Sequence, residues 1–146
     1  MVDGYLVDSG VFVRWFIKQA GWQHARTVRD AYLAGGVVLQ TVDVVRFEVA
    51  NVLRKVGLLP GLLDQEQYVQ AARAVDDLGV VVQVTDARAL ERAAALSARC
   101  MVNFYDALVV DQALEQGLPL LTSDAKLCRA IGDLLSTELL RGVATP

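Results

Sequence analysis

Hydrophobic and polar positions follow two patterns that alternate along the chain. Short apolar runs are separated by longer stretches in which apolar residues recur every three or four positions. The short runs are typical of strands buried on both faces, and the longer stretches are typical of helices with one apolar face. The predicted strands cover residues 4–8, 37–40, 80–84 and 118–122, with a further short strand near 137–140.

The stretches between these strands predict helices, and glycines stand where several of them should end. The predicted helices cover residues 11–20, 22–34, 43–56, 64–78, 87–98 and 104–116, with a shorter one beginning near Asp124. Strands that alternate with helices favour an α/β fold in which helices cover both faces of a parallel sheet. We therefore expect a single domain over residues 1–146, with functional groups beyond the carboxyl ends of the strands.

Composition restricts the class of protein. Hydrophobic residues make up 54% of the chain, yet no uninterrupted apolar run approaches the roughly 18 residues of a membrane span. The first residues lack the basic and apolar regions of a signal peptide, so we expect a cytoplasmic protein with no membrane association. A net charge of −3 argues against nucleic-acid binding through bulk positive charge, although a bound metal ion would reverse the sign locally.

The cysteines and the histidine are too few and too scattered for a zinc site. Cys100 and Cys128 are the two cysteines, and His24 is the single histidine. Structural zinc sites usually need four such ligands at short spacings. We expect both cysteines to be reduced core residues and His24 to lie on a helix surface.

Four of the chain's 17 acidic residues stand out by position. Asp8 and Asp124 follow predicted strands, whose carboxyl ends meet at one edge of a parallel sheet. Helical phase places Asp106 on an apolar face and Glu48 at the border of a valine stripe, where burying a carboxylate is costly. Close carboxylates repel by about 4 kcal/mol per pair, and a divalent cation that prefers oxygen ligands, such as Mg²⁺ or Mn²⁺, offsets this repulsion.

Other acidic residues near these positions have structural explanations. Asp43 and Asp86 each follow a predicted strand and precede a helix, where aspartate most often accepts backbone N–H bonds as an N-cap. Asp111 falls on the polar face of its helix and is expected to be solvated. Asp8 and Asp124 also fit the N-cap interpretation, so their position alone leaves both roles open.

Small polar residues beside the four acids are candidates for orienting the carboxylates. Ser9 follows Asp8, and Thr122 and Ser123 precede Asp124. Their hydroxyls fit either hydrogen bonds to the carboxylates or ordinary turn and cap positions. Asn51, three residues after Glu48, is expected to share a polar pocket with it. Candidates for phosphate contacts are Arg14, Arg46, Lys126 and Arg129, whereas Trp15, Phe16 and Trp22 are expected in the core or an interface.

The segments around the four acids together resemble the PIN-domain ribonucleases and, more narrowly, the VapC-type toxins of toxin/antitoxin pairs. These segments are LVDSGVFVRWF (6–16), FEVANVL (47–53), YDAL (105–108) and LTSDAKL (121–127). The resemblance extends over nearly the whole length in the family's order. It implies a three-layer α/β/α domain around a parallel sheet, Mg²⁺ or Mn²⁺ as cofactor, and endonucleolytic cleavage of RNA by a metal-activated water. It also implies a homodimer and a cognate antitoxin that inhibits the site.

Under this resemblance we expect Asp8 and Asp106 to be the primary metal ligands. Glu48 and Asp124 would complete the coordination shell of the metal ion directly or through water, and the site would hold either one ion or two. An Asp-based phosphatase would need a second Asp two residues after the first, but position 10 is Gly. The alternative function is a non-catalytic RNA- or protein-binding module, in which the acids serve only as helix caps.

Overall fold

A five-stranded parallel sheet forms the centre of the computed structural model, which describes residues 3–145. Its strands lie in the order β3-β2-β1-β4-β5, and every neighbouring pair is parallel. The chain moves from β1 to β2 on one side, and β4 then pairs with the other side of β1. The carboxyl ends of β1 and β4 therefore flank the point where ligands bind in open α/β sheets. The strands are β1 Asp3–Val7, β2 Val37–Val42, β3 Val81–Gln83, β4 Leu120–Thr122 and β5 Thr137–Leu139.

Eight α-helices join the strands in the described part of the chain, and the predicted α/β fold with three layers is confirmed. A π-helical turn, Arg54–Leu58, extends α3, and a 3-10 turn, Gly132–Leu134, follows α8. The helices are α1 Ser9–Val13, α2 Trp22–Leu33, α3 Asp43–Leu53, α4 Gln65–Ala72, α5 Ala74–Asp77, α6 Ala87–Cys100, α7 Phe104–Gln116 and α8 Ala125–Ile131.

Two predicted helices differ from those observed. The predicted helix 11–20 is wrong over most of its length, because α1 starts two residues earlier and ends at Val13. The Arg14 side chain donates to the carbonyls of Gly10 and Ala20, and the chain after α1 turns back before α2 begins. The predicted helix 64–78 is interrupted at Arg73, which separates α4 from α5.

The core is formed by the central strands and by α7. The last two side chains of β1 and all three of β4 are fully buried, and α7 packs against β1, β2 and β4. Thr41 of β2 is also buried, and its hydroxyl donates to the Val7 carbonyl at 2.8 Å. This packing holds in place the carboxyl end of β1, which Asp8 directly follows. Within residues 3–145 no single helix is long and apolar enough to cross a membrane, and α6 and α7 reach that length only as a pair bent by 112°.

The expectation that Asp111 is solvated is wrong, since its side chain is only 3% exposed. Arg92 of α6 donates to both carboxylate oxygens, from Nε to Oδ1 at 2.8 Å and from Nη2 to Oδ2 at 3.1 Å. Gln112 beside it is buried as well. Because α6 packs against α7, the polar face that the helical phase assigned to solvent is largely covered.

The expectation that His24 lies on the surface is also wrong, since the residue is 6% exposed. Its Nδ1 accepts the backbone N–H of Arg141 at 2.8 Å. Burial lowers the pKa of the ring, and the positive charge of Arg141 lowers it further. The segment after β5 therefore covers this part of α2. Cys100 and Cys128 are free, as expected, but both are half-buried.

Candidate functional site

Asp8 lies directly beyond the end of β1 and is 7% exposed. Its extended backbone makes it the N-cap of α1, and its Oδ1 accepts the Ser9 N–H at 2.8 Å. Its own N–H donates to the Leu121 carbonyl at 3.0 Å, which ties it to β4. Strand pairing therefore places this carboxylate between two strand ends.

Thr122 connects Asp8 to Asp124. The fully buried Thr122 hydroxyl donates to Asp8 Oδ2 at 2.9 Å and accepts the Asp124 N–H at 3.1 Å. Asp124 caps α8, with Oδ1 accepting the Leu127 N–H at 3.0 Å. Both aspartates are thus N-caps, and each uses one carboxylate oxygen for this role. Each aspartate can therefore cap a helix and also belong to the shared site.

Glu48 and Asp106 are both half-buried and come from two further helices. Glu48 lies on α3, which follows β2, and Asp106 lies in the first turn of α7. Burial, together with the negative charges of Asp8 and Asp106, raises the pKa of Glu48 to about 7. Burial, together with the charges of Asp8 and Asp124, raises the pKa of Asp106 to about 6.

The pKa of Asp8 is also raised, chiefly by burial, although hydrogen bonds from Thr122 and Ser9 oppose the shift. The negative charge of Asp124 adds to it. The pKa values of Asp8, Glu48 and Asp106 are therefore raised partly by the charges of acids from other segments of the chain. Among the described residues none of them forms a salt bridge with Lys, Arg or His. The site thus concentrates negative charge that the protein's own cations do not neutralise.

The donor chemistry of this site fits a hydrated Mg²⁺ or Mn²⁺ ion. All four side chains supply hard oxygen donors, and their charge is unpaired. Within residues 3–145, however, no three His, Cys, Asp or Glu side chains are grouped closely enough to enclose a metal ion. Mg²⁺ usually binds one or two carboxylates and keeps several waters, so it does not need such an enclosure. The arrangement fits an ion held partly through water, with Asp8 and Asp106 as the candidate direct ligands.

A solvent-accessible cleft of about 180 Å³ opens beside two of the acids. Asp106 and Asp124 line it, together with Met101 and the exposed Lys126. Larger clefts elsewhere, such as the one of about 300 Å³ between α6 and α7, do not contain any of the four acids. This cleft therefore gives Asp106 and Asp124 access to an external ligand, whereas neither Asp8 nor Glu48 lines it.

The smaller candidate residues differ in their placement. Ser9 contributes its backbone N–H to Asp8, and Ser123 lies against Gly10, where an added Cβ would overlap the Ser123 hydroxyl. Gly10 thus allows the Asp8 and Asp124 segments to approach, a role that the sequence analysis missed and that a glycine directly after Asp-Ser could have indicated. Asn51 is exposed, so the expected polar pocket shared with Glu48 is wrong.

Asp43 and Asp86 have structural roles. Asp86 caps α6 by accepting the Ala89 N–H at 2.8 Å, which confirms the prediction. Asp43 is the first residue of α3 rather than its N-cap. It accepts the N–H of Thr85 at 2.9 Å and the Thr85 hydroxyl at 2.6 Å, which ties α3 to the segment after β3. Burial acts to raise the pKa of Asp43, but these hydrogen bonds hold it below its usual range.

Comparisons with known proteins agree with this fold. Residues 5–132 match the family model described as PIN domain, whereas no curated protein sequence matches the chain. A toxin-antitoxin complex from Klebsiella pneumoniae is similar in structure, with a TM-score of 0.68 and 16% sequence identity over 95% of this chain and 99% of that one.

Two further solved structures show the same similarity of fold. VapC20 from Mycobacterium tuberculosis, described as a sarcin-ricin loop cleaving toxin, has a TM-score of 0.68 and 18% identity over 86% of this chain and 94% of that one. VapBC2 from Rickettsia felis, bound to a DNA fragment from its promoter, has a TM-score of 0.66 and 14% identity over 93% of this chain and 98% of that one. Because the family match spans most of the sequence and includes all four acids, this chain belongs to the PIN domain family.

Proposed function

We propose that this protein is an endoribonuclease that depends on Mg²⁺ or Mn²⁺ and acts as the toxin of a toxin/antitoxin pair. The observation that carries the proposal is the set of three acids in a PIN domain, Asp8, Glu48 and Asp106, whose pKa values are raised by burial and by neighbouring acidic charges that include Asp124. Burying several carboxylates without a cationic partner is unfavourable for stability alone. Clusters of acids with raised pKa values are typical of functional sites.

The four acids have different roles in this proposal. Asp8 and Asp106 would be the primary ligands, and Glu48 and Asp124 would complete the site directly or through water. A bound divalent cation would supply an activated water and would neutralise charge on the phosphate. Thr122 and the Ser9 N–H hold the Asp8 carboxylate in one orientation. In the metal-free protein the pKa of Glu48 is about 7, and a bound cation would favour its carboxylate form.

The same proposal includes a cognate antitoxin that inhibits the site, a homodimer and a cytoplasmic location for the single domain of residues 1–146. The antitoxin is supported by structures of similar fold, one described as a toxin-antitoxin complex and another as a member of the VapBC family of toxin-antitoxin systems. Expression of the wild-type protein alone should arrest growth of a bacterial host, and Asp8→Asn should not. Growth arrest of equal extent by both proteins would contradict the toxin proposal.

Cleavage of a mixed cellular RNA pool tests the nuclease proposal. We expect discrete products with Mn²⁺ and none with EDTA. The cleavage rate of Asp8→Asn should be more than about 100-fold lower than that of the wild type, because loss of a direct metal ligand should cost more than loss of a group that orients a ligand. Asp86→Asn is the matched control, since it removes one charge from an N-cap outside the four acids and keeps a good capping residue. Identical products from wild type and Asp8→Asn would contradict the proposal.

A non-catalytic binding module is the second candidate function. It is favoured by the lack of a three-ligand group among residues 3–145 and by the use of Asp8 and Asp124 as helix caps. It predicts that the protein binds RNA or a protein partner without cutting RNA. It also predicts that Asp8→Asn leaves this binding unchanged, so the cleavage assay and a binding assay separate the two functions.

A further inference from the structure

Positive charge is concentrated in one part of a chain that is acidic as a whole. Residues 9–29 contain Arg14, Lys18, Arg26 and Arg29 but no acidic residue, although the protein carries a net charge of −3. We call these four side chains the basic patch. When positive charge is clustered on a protein whose net charge is negative, the cluster indicates a surface that binds anionic ligands.

The fold brings the members of the basic patch together. The Lys18 ammonium lies 5.0 Å from the centroid of the Trp22 ring, and the Arg26 guanidinium lies 4.6 Å from it. Arg26 Nε also donates to the Arg14 carbonyl at 3.2 Å, and Arg29 Nη1 donates to the Trp15 carbonyl at 3.4 Å. Lys18 and Arg26 are therefore at most about 10 Å apart and are held by the same aromatic ring.

Three of these four cations form no ion pair with a carboxylate of the described residues. In the described part of the chain Arg14, Lys18 and Arg26 form no salt bridge, and Arg29 pairs only with the exposed Asp30 at 3.2 Å. The arginines donate instead to main-chain carbonyls, which orient the guanidinium groups without cancelling their charge. The patch thus remains available to an external anion.

The basic patch begins beside the four acids. Arg14 Nη1 donates to the Gly10 carbonyl at 2.9 Å, and Gly10 lies two residues after Asp8. Gly10 also contacts Ser123, the residue before Asp124. The Arg14 end of the patch therefore meets the segments that carry Asp8 and Asp124 at Gly10, so a polyanion along the patch would lie next to these segments.

We propose that the basic patch binds phosphates of single-stranded RNA on one side of the bond that is cut. This inference rests on the proposed function, because only a polyanionic substrate would need contact with both surfaces. RNA fits better than an acidic protein, since the patch adjoins a site for phosphodiester chemistry. The Trp22 ring is engaged by Lys18 and Arg26, so the patch recognises the charge of the backbone rather than the identity of the bases.

The salt dependence of RNA binding tests the proposal. The binding of a fluorescein-labelled single-stranded RNA of about 12 nucleotides is followed by fluorescence anisotropy in an Asp8→Asn background, which we expect not to cut the probe. Each phosphate contact with a single strand contributes about 0.7 to the slope of log K against log salt concentration. Lys18→Gln with Arg26→Gln should lower that slope by about 1.4 and raise the Kd about tenfold near 0.15 M salt.

Two control variants isolate the charge of the patch. Arg73→Gln with Arg88→Gln removes the same charge from exposed positions outside it and should leave the slope unchanged. Lys18→Arg with Arg26→Lys keeps the charge and should retain the wild-type slope. Thermal unfolding of each variant checks that the fold is intact. An unchanged slope in the glutamine variant, or an equal loss in the charge-retaining variant, would overturn the proposal.

Cleavage by the otherwise wild-type protein separates this inference from the proposed function. If the wild-type protein does not cut RNA with Mn²⁺ but the slope falls as expected, the patch binds RNA and the nuclease proposal fails. If RNA is cut and the slope does not change, only the patch proposal fails. If the glutamine substitutions abolish the binding of a protein partner but leave the affinity for RNA unchanged, the patch binds that partner. This result would also overturn the proposal.

Discussion

The Thr122 hydroxyl donates to Asp8 Oδ2 at 2.9 Å, across 114 positions of sequence. The parallel pairing of β1 with β4 brings these two residues together, with Val7 opposite Leu121. The same hydroxyl accepts the Asp124 N–H, so one buried side chain sets the positions of two of the four acids. Thr122 is therefore a positioning residue for the proposed metal site.

Thr122→Val should weaken both the fold and the site. The substitution leaves a buried carboxylate oxygen and a backbone N–H without a partner, which costs about 1–3 kcal/mol of unfolding free energy. Loss of a group that orients a metal ligand should reduce cleavage about 10–100-fold. Urea denaturation and cleavage rates measure the two effects. Thr122→Ser retains the hydroxyl and should keep most of the cleavage, whereas full cleavage by Thr122→Val would contradict the positioning role.

The metal-free protein should become less stable as the pH rises from about 5 to 8. The folded-state pKa values of Glu48, about 7, and Asp106, about 6, lie above the unfolded values of roughly 4.3 and 3.9. Folding therefore favours the protonated forms, and the loss of stability is complete only above the folded pKa values. After discounting for solvent screening of half-exposed groups, we expect a fall of about 1–3 kcal/mol in the unfolding free energy measured with EDTA.

Glu48→Gln checks the origin of this pH dependence, because a neutral amide removes one titrating group. Its unfolding free energy should fall less between the two pH values than that of the wild type. Glu66→Gln, at an exposed position of α4, is the matched control and should behave like the wild type. Because the lowered pKa of His24 makes stability rise with pH over the same range, the comparison between variants is the decisive one. A Glu48→Gln variant with the same pH dependence as the wild type would contradict the raised pKa of Glu48.

Arg92 and Asp111 should respond unequally to substitution. Arg92→Met leaves the buried Asp111 carboxylate without its partner and should lower the midpoint of thermal unfolding. Asp111→Leu leaves an arginine that can turn to solvent, so it should be milder. The double variant should recover stability relative to Arg92→Met. A double variant as unstable as Arg92→Met would show that packing, rather than the ion pair, maintains this contact.

The sequence was sufficient for the fold class and for the choice of Glu48 and Asp106 as candidates. Their positions relative to apolar neighbours follow from helical periodicity, which is a local property. The burial of Asp111 and His24 was not predictable in this way. Asp111 is covered by Arg92 of another helix, and His24 is covered by the segment at Arg141, 117 positions away. Both depend on tertiary packing.

The position of Thr122 near Asp124 in sequence makes it a candidate for orienting that carboxylate. Its hydrogen bond to Asp8 depends on the pairing of two distant strands and on their register. Asn51 was selected from helical spacing alone and is exposed. Local sequence patterns thus indicate which side chains lie near the site. The pairing of distant strands determines which of these side chains form hydrogen bonds with each other.

In the proposed site Asp8, Glu48, Asp106 and Asp124 together bind one divalent cation. Calorimetric titration of Mn²⁺ at about pH 7, in two buffers of different ionisation enthalpy, measures this binding and the protons released with it. The wild type should bind Mn²⁺ and release protons, because Glu48 is about half protonated at this pH. Binding should be lost in Asp8→Asn and retained in Asp86→Asn. Absence of binding by the wild type, or equal binding by Asp8→Asn, would contradict the proposed site.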